Sequence, residues 1–265
     1  MDPGVIGPNA FIFYRVCVSA LLFFLLTRSL FSFERKDFGL LLVCTFSGVM
    51  GNQLLFFNGL KNTSPIHAAL IMVCTPLLVL LIKTATGTKL QIHQWLGCAI
   101  GLLGAAYLIM HRGTTPLQEA GTMGDLMVLV NALLYGYYLI KVPELVSRYD
   151  PFKVLTALFS LSILPVGLIA IPQLMEFQVL SLTMDQWMAF LFVLVATTFL
   201  AYALNTYALK HTNAETVSMY IYLQPLCGTM IAIGLGHDRW QPHYGLSTCL
   251  IFGGLYLSGK KNLKF

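Results

Sequence analysis

The chain has little charge. Only 10% of its 265 residues are Asp, Glu, Lys or Arg, while 57% are apolar. A soluble domain carries about 25% charged residues, so a water-soluble globular protein is excluded. The apolar runs are continuous rather than alternating, which excludes a membrane β-barrel. No stretch between them could hold a folded domain. The chain also lacks any Cys-x-x-Cys; Cys17, Cys44, Cys74, Cys98, Cys227 and Cys249 each lie within an apolar run. A disulfide framework and a zinc site are thereby set aside, and the cysteines read as small packing residues. There is no His-Glu-x-x-His, no Gly-x-Ser-x-Gly and no carboxylate pair in mid-run. An intramembrane enzyme needs such a constellation, so no catalytic residue, metal or cofactor is expected. Basic residues flank the runs instead of forming a patch, which argues against a nucleic-acid partner.

What is present is a series of runs long enough to cross a bilayer as helices, about 20 residues each. Nine are expected, at 10–33, 38–60, 64–83, 93–110, 123–141, 153–171, 187–210, 214–235 and 243–258. Thr183-x-x-Gln186 has the spacing of a capping box for the seventh. Trp95, Trp187 and Trp240 fall at run ends, as in an interfacial aromatic belt. The fold class is an all-α integral membrane protein with the lipid bilayer as a partner.

Lys and Arg set the orientation. With Met1 outside, the inward stretches hold twelve: Arg28, Arg35, Lys36, Lys83, Lys89, Lys141, Arg148, Lys153, Lys210, Lys260, Lys261 and Lys264. The outward stretches hold Lys61, Arg112 and Arg239. That bias puts the C-terminus in the cytoplasm.

The chain also repeats itself. Leu60-Lys61-x-Thr63 recurs as Leu209-Lys210-x-Thr212, an offset of 149 residues, and at that offset Pro76 meets Pro225 and Gly104 meets Gly253. The paired segments enter the membrane from opposite sides, as inverted repeats do. The first repeat, 1–112, shows four spans; the second, 121–260, shows five; residues 261–265 form a cytoplasmic tail. The expectation is two inverted five-helix repeats on a ten-helix plan, nine spans visible, with an N-terminal helix missing.

These residues resemble the EamA-type transporters of the drug/metabolite transporter superfamily. The resemblance rests on Phe13-Tyr14-Arg15, Phe56-x-x-Gly59-Leu60-Lys61-x-Thr63-Ser64-Pro65 with Pro76, and Gly97-x-x-x-Gly101-x-x-Gly104. In the second repeat it rests on Gly124-Asp125, Ala201-Tyr202, Tyr207-Ala208-Leu209-Lys210 and Pro225. It implies export of small metabolites such as amino acids by alternating access through a central cavity, from the bacterial cytoplasmic membrane. Uptake or facilitated permeation of small polar or aromatic solutes is the alternative; a non-transporting scaffold gives no reason for the polar stripes that follow.

Asn131, Tyr135 and Tyr138 are spaced i, i+4, i+7, and so are Thr198, Tyr202 and Asn205, and Ser218, Tyr222 and Pro225. In lipid such stripes must face protein or a watery cavity. Asn52, Gln53, Asn131, Tyr135, Tyr138, Tyr202, Asn205, Tyr222 and Gln224 are therefore the candidates for contact with a small-molecule cargo, with helix–helix hydrogen bonding as the competing role. Pro76 and Pro225 each free a carbonyl four residues earlier, at Met72 and Ile221, and are the kink or gating candidates. His67 and Glu215 are the candidates for titration, the former otherwise a packing residue near the outer end of its span. Asp125 and Glu215 lie near span starts, where a carboxylate also complements the helix dipole. Arg15 reads as a span-end residue snorkelling to the interface, or as a partner for an anionic group on the cargo. Gly97, Gly101 and Ala105, with Gly254 and Ser258, form small faces for helix packing.

Overall fold

A computed structural model describes residues 6–28, 33–110, 121–177, 182–234 and 242–259. Among them there is no strand. The helices are α1 (Pro8–Thr27), α2 (Phe38–Cys44), α3 (Gly51–Lys61), α4 (Pro65–Val73), α5 (Thr75–Ala85), α6 (Ile92–Met110) and α7 (Thr122–Val146). There follow α8 (Pro151–Glu176), α9 (Met184–Phe192), α10 (Ala201–His211), α11 (Ala214–Met219), α12 (Leu223–Gly234) and α13 (Pro242–Gly259). Arg112, Arg239, Trp240, Lys260, Lys261, Lys264 and the tail 261–265 lie outside the described residues.

Among the described residues seven helical runs are long and apolar enough to cross a membrane: Pro8–Thr27, Arg35–Lys61, His67–Ala85, Ile92–Met110, Thr122–Val146, Pro151–Glu176 and Met184–His211. They coincide with the first seven expected spans. The last two expected spans are present as α11–α12, interrupted at Tyr220–Tyr222, and as the eighteen-residue α13. Neither counts among the seven. In α13 the glycines, His243, Ser247, Thr248 and Ser258 dilute the apolar run.

Helix starts follow local chemistry. Ser64 caps α4 by accepting from the His67 N–H at 3.1 Å. Asn213, 149 residues later, caps α11 by accepting from the Thr216 N–H at 2.9 Å. The Thr183–Gln186 capping box forms as its spacing predicts, and each cap satisfies an N–H that the helix leaves orphaned.

Four interruptions break the long runs among the described residues, and they too are related by the repeat. Between α2 and α3 the backbone is π-helical over Thr45–Met50; between α9 and α10 it is π-helical over Val193–Leu200. Shifted by 149, the first falls on 194–199, inside the second. Hydroxyls sit at both places. Thr45 and Ser47 donate to the carbonyls of Leu41 and Val43, and Thr197 and Thr198 both donate to that of Val193. Such bonds compete with the backbone ladder and loosen it. The other pair is made by proline. The helix breaks at Cys74, between α4 and α5, and turns tightly over Tyr220–Tyr222, between α11 and α12. Pro76 cannot supply the N–H that the Met72 carbonyl would take, and the Thr75 hydroxyl donates to it instead, at 2.7 Å.

The chain divides into two compact units, and neither is a sequence repeat. The first comprises Met1–Lys61 and Lys141–Thr212; the second comprises Asn62–Ile140 and Asn213–Phe265. Each is built of repeat-related helices. In the first, α1 packs on α8, its counterpart at the 149-residue offset. Phe23 lies 5.6 Å from Phe159 and 4.6 Å from Phe199, centroid to centroid. Both π segments belong to this unit.

In the second unit, α6 packs on its counterpart α13. Lipid offers no hydrophobic drive for helix pairing, so close approach of small residues does the work. A Cβ on Gly97 would stand 2.6 Å from the Gly254 carbonyl oxygen and 2.8 Å from the Ser258 Cβ. The small faces expected from spacing thus meet backbone to backbone. Both proline-broken runs belong to this unit, as does α7 through Ile140, which has no counterpart among the described helices of the first repeat.

Candidate substrate site

In the first unit a charged side chain, Arg15, lies within a membrane helix. It is not a snorkelling residue. It is the eighth residue of the twenty in α1, 7% exposed, and its Nε–H donates to the Thr198 Oγ1 at 2.8 Å. The Phe57 ring centroid lies 4.6 Å from its guanidinium carbon and that of Phe11 5.7 Å. Packing on α1, α3 and the second π segment holds the side chain inward, where reaching the interface would forfeit both aromatic contacts and the Thr198 bond. Thr198 can accept from Arg15 because its own proton goes to the Val193 carbonyl, five residues back. One turn later, the Tyr202 hydroxyl, at the start of α10, donates to the Gly48 carbonyl oxygen at 2.8 Å, tying α10 to the first π segment. Gln53 is 2% exposed, and neither its Oε1 nor its Nε2 has a hydrogen-bond partner among the described residues. Asn52 and Asn205 are half-buried in the same unit. Asn58 donates to the Asn9 Oδ1 at 2.8 Å, and Gln173 Oε1 accepts from the Asn9 N–H, closing one end of the bundle.

The second unit holds the rest of the candidates. Asn131 and Tyr138 are buried, and Tyr135 stacks on Tyr138 with centroids 6.2 Å apart. Tyr222 is fully buried. Its hydroxyl donates to the Cys98 carbonyl at 3.1 Å, and its ring occupies the space a side chain on Gly101 would need. Gln224 is exposed. Pro76 and Pro225 stand just after the two breaks.

Two polar clamps hold the ends of the broken runs in this unit. His67 Nδ1 lies 3.0 Å from Asp125 Oδ2, and the Thr63 hydroxyl donates to Asp125 Oδ1. At the far end, Lys83 Nζ donates to Glu215 Oε1 at 2.5 Å. The Glu215 side chain is 7% exposed there and that of Lys83 21%, against 30% and 44% for Asp125 and His67. Asp125 and Glu215 are therefore more than complements to a helix dipole: each ties a helix start to another helix.

The stripe candidates fall into two groups, Asn52, Gln53, Tyr202 and Asn205 in the first unit and Asn131, Tyr135, Tyr138, Tyr222 and Gln224 in the second. The π segments and the burial of Arg15 were not foreseen. The available signals were an arginine within an apolar run and clustered Thr and Ser in mid-span. Among the described residues no group of His, Cys, Asp and Glu could hold a metal ion, and all six cysteines are free.

Comparison with known proteins gives one family. The model of the EamA-like transporter family matches residues 3–110 and again 122–259. An uncharacterized transporter, YyaM, of Bacillus subtilis is 26% identical over 207 residues, 76% of this chain and 67% of the relative. An uncharacterized transporter of Archaeoglobus fulgidus is 23% identical over 221 residues, 83% of this chain and 75% of the relative. A solved crystal structure superposes with a TM-score of 0.79 over 97% of this chain and 88% of its own, at 18% identity, a likeness of fold.

Proposed function

The chain belongs to the EamA-like transporter family, and on that premise we propose that this multi-pass membrane protein exports small metabolites, amino acids among them, by alternating access. The observation that carries the proposal is the pairing of interruptions. Among the described residues the two π-helical segments overlap at the 149-residue offset, and Pro76 and Pro225, which pair at that offset, each follow closely on a break in their own run. Discontinuous helices at equivalent places in inverted repeats are where transporters bind cargo and bend. The repeats of the mechanism are 1–112 and 121–260. The breaks supply loosened carbonyls; the clamps Asp125–His67 and Lys83–Glu215 hold one state of the broken runs; Gln53, Tyr202 and Asn205 line the cargo's path in the first unit. The C-terminus lies in the cytoplasm of a bacterial cell, with the protein in its cytoplasmic membrane.

Counterflow tests this reading. Vesicles containing the purified protein are loaded with an unlabelled amino-acid mixture and given labelled amino acids outside. Transient accumulation of label, lost on Tyr202→Phe and kept on Leu25→Ala at a lipid-exposed site, is expected. No accumulation of any labelled amino acid would count against amino acids as cargo. Topology is tested separately on intact cells. A cysteine at Lys61 should react with an impermeant thiol reagent and one at Lys153 should not; the reverse would invert the orientation.

A further inference from the structure

We infer that Arg15, with Gln53 and Ser19, forms a carboxylate-binding subsite in the first unit, so that the cargo of the proposed carrier is a small monocarboxylate or an amino acid. The inference rests on the transport reading and names its substrate class.

A guanidinium carries five N–H donors in a planar fork. At Arg15 the Nε–H is taken by Thr198, and the guanidinium carbon lies over the rings of Phe57 and Phe11. That leaves the two Nη groups, the pair that binds a carboxylate side by side. A buried cation calls for a counter-charge. Among the described residues none is supplied: Glu34, Asp37, Glu144, Asp150, Glu176 and Asp185, the carboxylates of this unit, stand at or near helix ends, and no ion pair joins any of them to Arg15. The site is electrically incomplete.

Two further polar groups are left over on the helices that carry Arg15 and Phe57. Gln53 lies one helical turn before Phe57, on the same face of α3 as the ring that covers the guanidinium. Both ends of its carboxamide are buried without a partner. Ser19 lies one turn after Arg15 on α1, is fully buried, and its Oγ is likewise without a partner among the described residues. A buried polar group left unpaired is costly and rare in native proteins. A carboxylate answers all three at once. It accepts from the Arg15 fork, from the Gln53 amide and from the Ser19 hydroxyl, and the Gln53 oxygen remains to accept from an ammonium group, as an amino acid would offer. One carboxylate also neutralises one guanidinium.

The test uses the purified full chain in lipid nanodiscs and follows its thermal unfolding against phenylacetate, the isosteric neutral phenylacetamide, and phenyl phosphate. Phenylacetate should raise the unfolding temperature saturably; the other two should not. Arg15→Gln should weaken phenylacetate binding at least about tenfold, the scale of a lost charge-assisted hydrogen bond. Should that variant fail to fold, Gln53→Glu remains decisive. It places a carboxylate beside the guanidinium, and should stabilise the ligand-free protein while abolishing the response to phenylacetate. Equal shifts with acid and amide, a shift with phenyl phosphate alone, or an undiminished phenylacetate response in Gln53→Glu would overturn the subsite. Counterflow on the same variants separates the two claims. A wild type that moves solutes without preferring acids over amides leaves the carrier standing and removes the subsite; a wild type that moves nothing removes the carrier.

Discussion

The two compact units solve one problem in different ways. Each takes a pair of helices related by the repeat and interrupts both at equivalent positions. The first unit does it with hydroxyls: Thr45, Ser47, Thr197 and Thr198 compete for carbonyls, the backbone widens into a π segment, and the helix goes on. The second does it with proline: Pro76 and Pro225 withhold an N–H, and the regular α-helix is interrupted just before each, at Cys74 and over Tyr220–Tyr222. The contrast extends to what holds the interruptions. Neutral bonds and an arginine embedded among aromatics hold the π segments. A His67–Asp125 contact at one end and the Lys83–Glu215 ion pair at the other hold the broken runs. A widened helix keeps its axis and presents loosened backbone to a ligand, whereas a broken one can change its axis. On this account binding belongs to the first unit and bending to the second.

The largest effect should come from the second unit's buried clamp. Lys83→Met leaves the Glu215 carboxylate buried and uncompensated, which costs about 3–5 kcal/mol. Adding Glu215→Gln should restore most of the loss. Thermal unfolding of the two single variants and the double measures both, and simple additivity would mean the pair is not coupled.

Next is the seam between α6 and α13. Gly97→Val drives a side chain into the backbone of Gly254, which cannot move aside. Overpacking costs about 1–3 kcal/mol, and the value should lie at the top of that range. Gly253→Ala, whose Cβ would meet nothing within 4 Å, should be neutral. Equal loss in both variants would dissolve the contrast between a close-packed seam and an open face.

The smallest effect belongs to the first unit's π segments. Tyr202→Phe removes one bond to the Gly48 carbonyl, worth about 0.6 kcal/mol on the average for hydrogen bonds between membrane helices. Its stability should scarcely change while counterflow falls. A variant with full counterflow and a clearly lowered unfolding temperature would instead make Tyr202 a packing residue, as the burial and bonding of Tyr222 suit it to be.

Much of this architecture is legible in the sequence, because membrane helices announce themselves by length and apolar content, and proline by what it cannot do. The spans, the Thr183 capping box and the Gly97 and Gly254 faces all follow from local rules. The π segments do not. Hydroxyls bonding back to carbonyls leave an apolar run apolar, and clustered Thr and Ser in mid-span, the one signal at Thr45–Met50, fit a regular helix as well as a widened one. The membership of the units was hidden for another reason. The pairings of α1 with α8 and α6 with α13 span over a hundred residues and depend on side-chain fit rather than on periodicity. Of the two readings of Arg15, only snorkelling fails: a long cationic side chain ordinarily reaches for the interface, but the packing of Phe11, Phe57 and Thr198 around this one keeps it in.

Hydrogen exchange on the full chain in nanodiscs tests the central claim most directly, the claim that the four paired interruptions are the binding and bending places. The account predicts faster amide exchange at 45–50, 74–75, 194–199 and 220–223 than in the middle of α6 and α8. It also predicts that an amino-acid mixture slows exchange at the π segments and alters it at the proline breaks. Uniform protection along the spans, unchanged by the mixture, would contradict it.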